Sequence, residues 1–390
     1  MRTKRFLLLC ISTLLFMASF GMVVPELPAF LAALGRPDLI GWIIGSFTVG
    51  AFLSRFVSGR VTDEVGRRPV MVFGSWVAAL SAFGYLLLGH VGPGWAVGAF
   101  FTLRFIHGIS AGFRPTGATA YTADIVPVDR RGAAMGWLGV AGNAGMAGGP
   151  ALGSVLAVEW GMDAMFAVAA ALGALSLALT WPLKETLEPR RKLVWGDLAV
   201  WRGKPFDRAA LPPSLAQIPV AFAFGAFLAI TPDFVGALGF TYKGTFNTIA
   251  VVASIVVRMA AGGWSDRWGR IPVIAVGNLL LAAGMAGLAL SDSPAEAIAA
   301  GIVYGASVGL NAPAIFAWTA DLARPGATGL ALGTMMLAME IGIGAGALFA
   351  GYLYAGDLDR IAWVYGTCAV WAALAALRLA WLARRSRSGA

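Results

Sequence analysis

Runs of roughly 20 apolar residues recur from end to end of this chain, and each is long enough to cross a ~30 Å hydrocarbon core. Backbone N–H and C=O groups surrounded by lipid must be satisfied within their own segment, so runs of this length are helices. Twelve are predicted, at 5–33, 39–62, 69–92, 95–124, 131–158, 162–183, 211–238, 243–265, 271–291, 295–322, 327–354 and 360–383. One polar connection is long: KETLEPRRKLVWGDLAVWRGKPFDRAA, at 184–210, divides the 390 residues almost in half. The expected architecture is an all-α polytopic membrane protein with twelve spans in two six-helix bundles, 1–183 and 211–390, joined by a linker at 184–210. Only 13% of the residues are charged, against about a quarter in soluble chains. The apolar majority therefore faces lipid and other helices.

A net charge of +9 raises the question of nucleic acid, and the placement of the charges answers it. Arg2, Lys4, Arg5, Arg67, Arg68, Arg130, Arg131, the linker, Arg267, Arg270, Arg324, Arg384, Arg385 and Arg387 fall on one side of the spans. The other side holds mainly Asp38, Glu159, Asp163, Asp292, Glu296, Asp357 and Asp359. That asymmetry follows the positive-inside rule and assigns both termini to the cytoplasm, in a cytoplasmic (inner) membrane, with no nucleic-acid partner. The N-terminal MRTKRFLLLC has the charged start of a signal peptide, but the apolar run continues through Phe30 without a small-residue cleavage site. It is read as a retained first span. Cys10 and Cys368 lie apart in apolar runs and only His90 and His107 are present, so neither a disulfide nor a metal site is expected. No Walker A pattern, catalytic constellation or cofactor motif is visible. Neither an enzyme nor a cofactor is expected.

The second half echoes the first. GRVTDEVGRRP (59–69) matches GGWSDRWGRIP (262–272), and Arg55 matches Arg258 at the same offset of 203. YTAD (121–124) matches WTAD (318–321) at an offset of 197, as do Gly108 and Gly112 with Gly305 and Gly309, Gly132 and Gly136 with Gly329 and Gly333, and Gly145 and Gly149 with Gly342 and Gly346. VPELPAFLAALG (24–35) resembles TPDFVGALG (231–239) and pairs Glu26 with Asp233. A collinear series of this kind indicates duplication, and two parallel halves imply a transporter with its substrate near mid-membrane.

Those motifs carry a family resemblance. Gly59-x-x-x-Asp63-x-x-Gly66-Arg67-Arg68 resembles the loop motif of the major facilitator superfamily, and the copy from Gly262 keeps Asp266, Gly269 and Arg270 but has Ile271 last. Arg104-x-x-x-Gly108 looks like that family's span-four arginine motif. Gly145-x-x-x-Gly149-Pro150-x-x-Gly153 is similar to its antiporter motif, with Ser154 replacing the final glycine. Pro25-Glu26-Leu27-Pro28 resembles the proline motif of the twelve-span drug:proton antiporters, whereas sugar-importer signatures are not visible. The resemblance implies a monomeric secondary transporter that exports a small amphiphilic or drug-like molecule, with protons as coupling ion and membrane lipids around it. A lipid or lysolipid flippase and a metabolite or metallophore exporter are the alternatives of the same fold.

Physical roles can be set beside these motifs. In the loop motif, Asp63 can pair with Arg67 or cap the next helix, and its glycines allow tight turns and close approach. Asp63, Arg67, Arg68, Asp266 and Arg270, with Asp124 and Asp321 at helix ends, are expected to form a gating network. The small face of Gly145, Gly149 and Gly153 permits close helix packing, and Pro150 adds a bend. Ionisable groups inside spans are costly and face the interior or a water-filled cavity. Glu26, Asp233 and Glu340 are the candidate proton carriers; for Glu26 and Asp233 the plainer reading is a hydrated outer rim. Arg104 is expected to balance a carboxylate or bind carbonyls. Arg114 is expected to face the cavity or the opposite half, holding an anionic group or balancing Glu26. Asn143, the counterpart of Glu340, and Asn311 are candidate cavity liners. His107 is read as packed and hydrogen-bonded.

Overall fold

A computed structural model describes residues 3–127, 130–188, 206–261, 263–324 and 328–388. The elements are α1 (Thr3–Val23), a 3-10 turn (Val24–Glu26), α2 (Leu27–Ala33), α3 (Ile40–Glu64), α4 (Arg67–Leu88), α5 (Pro93–Ile125), α6 (Arg131–Trp160) and α7 (Met162–Thr180). There follow α8 (Leu211–Ala237), α9 (Lys243–Ala260), a short α10 (Trp264–Trp268), α11 (Arg270–Ala289), α12 (Pro294–Leu322), α13 (Thr328–Tyr354) and α14 (Ile361–Ser388). Taking α1 and α2 as one span and setting the five-residue α10 aside leaves twelve. Ten of these segments are long and apolar enough to cross a membrane. The other two are α6, diluted by glycine, and α9, which carries Lys243 and Arg258.

Local chemistry explains the breaks. The first span is one run in the sequence but two helices in the structure. Pro25 and Pro28 both lack an N–H, and the chain passes between α1 and α2 through a 3-10 turn that buries Glu26. At the starts of α4 and α11 the chain turns through Gly66 (φ +141°) and Gly269 (φ +90°), a backbone conformation that favours glycine. Of the predicted linker, residues 189–205 lie outside the described residues. Its last part forms a 3-10 turn, Arg208–Ala210, capped by Asp207, whose carboxylate accepts from the Ala209 N–H. Buried Asp207 also pairs with Arg324 at 3.3 Å and donates its N–H to Thr334 Oγ1 at 2.8 Å.

The chain clusters into two units, Met1–Arg36 with Ser46–Gly203, and Pro37–Gly45 with Lys204–Ala390. In the first, α1 packs on α6 and α7, and α4 on α5 and α7. In the second, α8 packs on α13 and α14, α11 on α12 and α14, and α9 on α12. The glycines repeated at the 197 offset make matching contacts. A side chain at Gly108 would strike the Phe47 carbonyl and one at Gly112 the Ser54 hydroxyl, while one at Gly305 would strike the Ala250 carbonyl and one at Gly309 the Ser254 carbonyl. Gly145, Gly149 and Gly153 lie against the backbone of α1 at Leu14, Ala18 and Met22; Gly342 and Gly346 lie against α8 at Ala221 and Phe222. Gly136, Gly329 and Gly333 meet nothing among the described residues.

Backbone-to-backbone contact leaves no side chain to give way. Gly149→Leu should therefore force α1 and α6 apart and cost about 1–3 kcal/mol or more. A thermal unfolding scan in detergent should show a clearly lowered midpoint. Gly136→Leu, where space is open, should leave it unchanged.

Candidate functional site

The loop motif folds into a closed set of ion pairs and caps. Arg67, at the start of α4, places Nε 2.9 Å from Asp124 Oδ2 and Nη1 3.5 Å from Asp63 Oδ1, and donates to the Thr62 carbonyl at 2.7 Å. Arg68 lies over the Trp181 ring and donates twice to the Trp181 carbonyl, at 2.6 and 2.9 Å. A residue that the sequence did not single out completes the set. Glu185 accepts from the Arg67 and Arg68 N–H groups, each at 3.0 Å, at the N-terminus of α4. Those N–H groups have no partner within the helix, and an anion there also complements the helix dipole. Thr186 then donates to the Asp124 oxygen that Arg67 holds, at 2.6 Å. A side chain on Gly66 would collide with the Glu185 carboxylate, so this glycine is needed for close approach as well as for its φ. Gly59 meets nothing among the described residues, and the expected close approach does not occur there.

The second copy is simpler. Arg270 reaches Asp321 at 2.8 Å, donates to Ser265 at 2.8 Å and pairs with Asp266. Ile271 stands where Arg68 stands in the first copy, and among the described residues nothing equivalent to Arg68 anchors the turn.

The intramembrane charges separate into different environments. Glu26 is 5% exposed in the turn between α1 and α2, and the Ser154 hydroxyl of α6 donates to it. Ser154 is the residue that departs from the glycine of the antiporter motif, so the departure supplies the partner of this carboxylate. Such burial does not fit a hydrated rim for Glu26. Asp233 is half-buried on α8 and accepts from the Tyr354 hydroxyl of α13 at 3.1 Å. Glu340 is buried on α13, and Asn143 is half-buried on α6.

Arg114 differs from the expectation. It is 1% exposed and points into its own unit, donating to Ser75 Oγ (3.0 Å), Ser12 Oγ (2.7 Å) and Thr13 Oγ1 (3.4 Å), with the Phe16 ring 5.7 Å from its guanidinium carbon. It balances no carboxylate among the described residues. The physical reason is Gly74 of α4, which packs against the Arg114 backbone and brings Ser75 and the hydroxyls of α1 within reach. Asn311 is fully buried and accepts from the Asn278 amide at 3.3 Å, opposite Gly277 of α11. Arg104 is fully buried beside Tyr85 and over the Phe47 ring at 4.8 Å. His107 packs against Phe20 and Phe47 and lies 3.4 Å from the Tyr85 hydroxyl.

Removing Glu185 tests the closed set directly. Glu185→Ala leaves two N-terminal N–H groups without their acceptor, a loss of about 0.5–2 kcal/mol for a lost cap. The expected result is faster proteolysis at the 63–68 turn, with Asp124→Asn giving a smaller effect.

Comparison with known proteins places this geometry among transporters. The family model of the Major Facilitator Superfamily matches residues 9–256 and 214–390. The chain is similar to Multidrug resistance protein 2 of Bacillus subtilis (strain 168), 29% identical over 193 residues, covering 48% of this chain and 46% of that protein. It is similar to the multi-drug resistance efflux pump PmrA homolog of Lactococcus lactis subsp. lactis (strain IL1403), 34% identical over 183 residues, covering 45% and 43%. The matches thus span about half the length of either relative. Among solved structures, the human organic anion transporter MFSD10 (TETRAN) superposes with a TM-score of 0.73 at 22% identity, covering 97% of this chain and 99% of that one. A D-xylose–proton symporter superposes with a TM-score of 0.76 at 20% identity, covering 97% of each.

Proposed function

The chain belongs to the major facilitator superfamily, and on that premise we propose that this multi-pass membrane transporter exports a small amphiphilic molecule in exchange for inward-moving protons. The observation that carries the reading is Glu26, a carboxylate buried inside a proline-broken span and held, among the described residues, by the Ser154 hydroxyl. Ionisable groups inside spans are costly and mark proton and substrate pathways. In this reading Glu26 takes a proton from one side and releases it to the other as access alternates. Glu340 and Asp233 are the further carriers in this reading, and Asn143 stands where Glu340 stands in the other half. The ion pairs of Arg67 and Arg270 would open and re-form as the gate, holding one conformation until the carboxylates change state.

Export rather than import is supported by the glycine–proline motif of α6 and by the multidrug names of the relatives. Cytoplasmic termini, the cytoplasmic membrane, a monomeric state and the bundle boundaries 1–183 and 211–390 belong to the same proposal; the asymmetry of Arg and Lys supports the first of these. The flippase alternative drew on Arg114 to meet an anionic head group, and that side chain is engaged inside its own unit.

The test is purified protein in liposomes with a pH-sensitive dye inside and an imposed proton gradient. A panel of lipophilic cations, zwitterions and anionic amphiphiles is then screened. Substrate-dependent proton movement supports antiport. Substrate that crosses with no proton movement at all would leave a uniporter or flippase in its place.

A further inference from the structure

The two halves differ at the first residue of the YTAD and WTAD pair, Tyr121 against Trp318. Around Tyr121, near the end of α5, the first unit is filled: Tyr121, Leu9, Met71 and Leu183 form one buried cluster. Trp318 is the copy of Tyr121 at the 197 offset. Around Trp318 the second unit has instead a half-open cleft of about 340 Å³ between α8, α12 and α14.

The sequence of α8 accounts for the opening. Its α8 wall is made of Pro212, Ala216 and Pro219, side chains too short to reach across to α14. The walls are apolar and aromatic: Leu215, Trp371 and Leu374 are exposed, and Trp371 is braced by stacking on Phe222 at 5.4 Å. Among the described residues one charge lines the cleft. Arg378 of α14 stands one turn beyond Leu374, exposed, and bonded to no carboxylate among the described residues. The cleft lies at the end of the unit where α8 begins and α12 and α14 finish, the end that also carries Arg208, Arg324 and Arg384.

An apolar slot bounded by tryptophan, with one cation at its rim and more beyond, has the chemistry of a phospholipid: acyl chain in the slot, anionic head on the guanidinium. We propose that the cleft between α8, α12 and α14 is a binding site for an anionic phospholipid, with one acyl chain against Trp318 and Trp371 and the phosphate on Arg378. The site is separate from the carboxylates and does not depend on the antiport reading.

The test uses the full chain in nanodiscs that contain phosphatidylglycerol with a photoactivatable acyl chain, with the matching phosphatidylcholine probe in parallel. Cross-linked peptides are mapped by mass spectrometry. Labelling of Leu215, Trp371 or Leu379 is expected to be roughly fivefold stronger with the phosphatidylglycerol probe, the size of one guanidinium–headgroup attraction near a membrane surface. Arg378→Gln, at an exposed position, should remove that preference while leaving phosphatidylcholine labelling unchanged. Ala216→Leu should block both probes by filling the cleft from its α8 wall. Equal labelling by the two head groups, insensitivity to Arg378→Gln, or labelling of the cleft no stronger than that of the outer face of α7 overturns the proposal.

Discussion

Glu26→Gln in proteoliposomes is expected to abolish substrate-evoked proton movement while leaving the protein folded. The two side chains have the same shape, and the Gln carbonyl can still accept from the Ser154 hydroxyl, so the packing of the turn survives. What the variant loses is the ability to change charge. If Glu26 carries the proton, flux falls to that of empty liposomes, and substrate binding measured by fluorescence persists. Ser154→Ala is the graded companion. It removes one hydrogen bond to a carboxylate, worth about 1.5–3 kcal/mol, and should slow flux about tenfold or more without abolishing it. Glu340→Gln is expected to act like Glu26→Gln, and Glu296→Gln, at the exposed start of α12, should do nothing. Full proton flux in Glu26→Gln would remove this carboxylate from the mechanism.

Arg114→Ala is expected to lower the thermal midpoint by roughly 5–10 °C. The side chain is wholly buried, fixed by three hydroxyls and an aromatic face. Truncation empties a volume comparable to a large aromatic deletion, at about 3–5 kcal/mol, and removes the donor shared by α1 and α4. Arg114→Met separates packing from charge, because it fills most of the space without the cation. Apolar residues that replace buried charges are often tolerated, so Arg114→Met should recover at least half of the lost stability. A midpoint unchanged in Arg114→Ala would show that this arginine holds nothing together.

Much of the fold was legible because lipid leaves the backbone few choices: the length and apolarity of each run dictate a helix, and the glycine repeat names the faces that meet. The site was legible only where partners are close in sequence. Asp63 is four residues from Arg67, and the spacing offers the pair directly. Glu185 is 118 positions from Arg67, and no local pattern marks it except its place just after a span. Arg114 was misplaced because burial on one side of a helix or the other depends on the neighbour, here Gly74, which periodicity in an all-apolar helix cannot reveal. Ser154 was noticed as a departure from a motif, but its partner Glu26 lies on a different helix, and only the packing of α6 on α1 unites them.

The glycine contacts have a mechanical consequence. Where a glycine meets a carbonyl, as between α1 and α6, α3 and α5, α8 and α13, and α9 and α12, no rotamer can change to accommodate sliding. Each such pair behaves as a single stiff strut. Joints built from side chains can re-pack and absorb displacement, because alternative rotamers lie close in energy. A large conformational change in this chain must therefore be divided among whole struts, with bending left to the proline-broken turn at Val24–Glu26, the prolines inside α5, α6, α8 and α12, and the helix ends. The halves of a strut keep their register through a transport cycle, and distance probes placed within one should report no change while substrate moves.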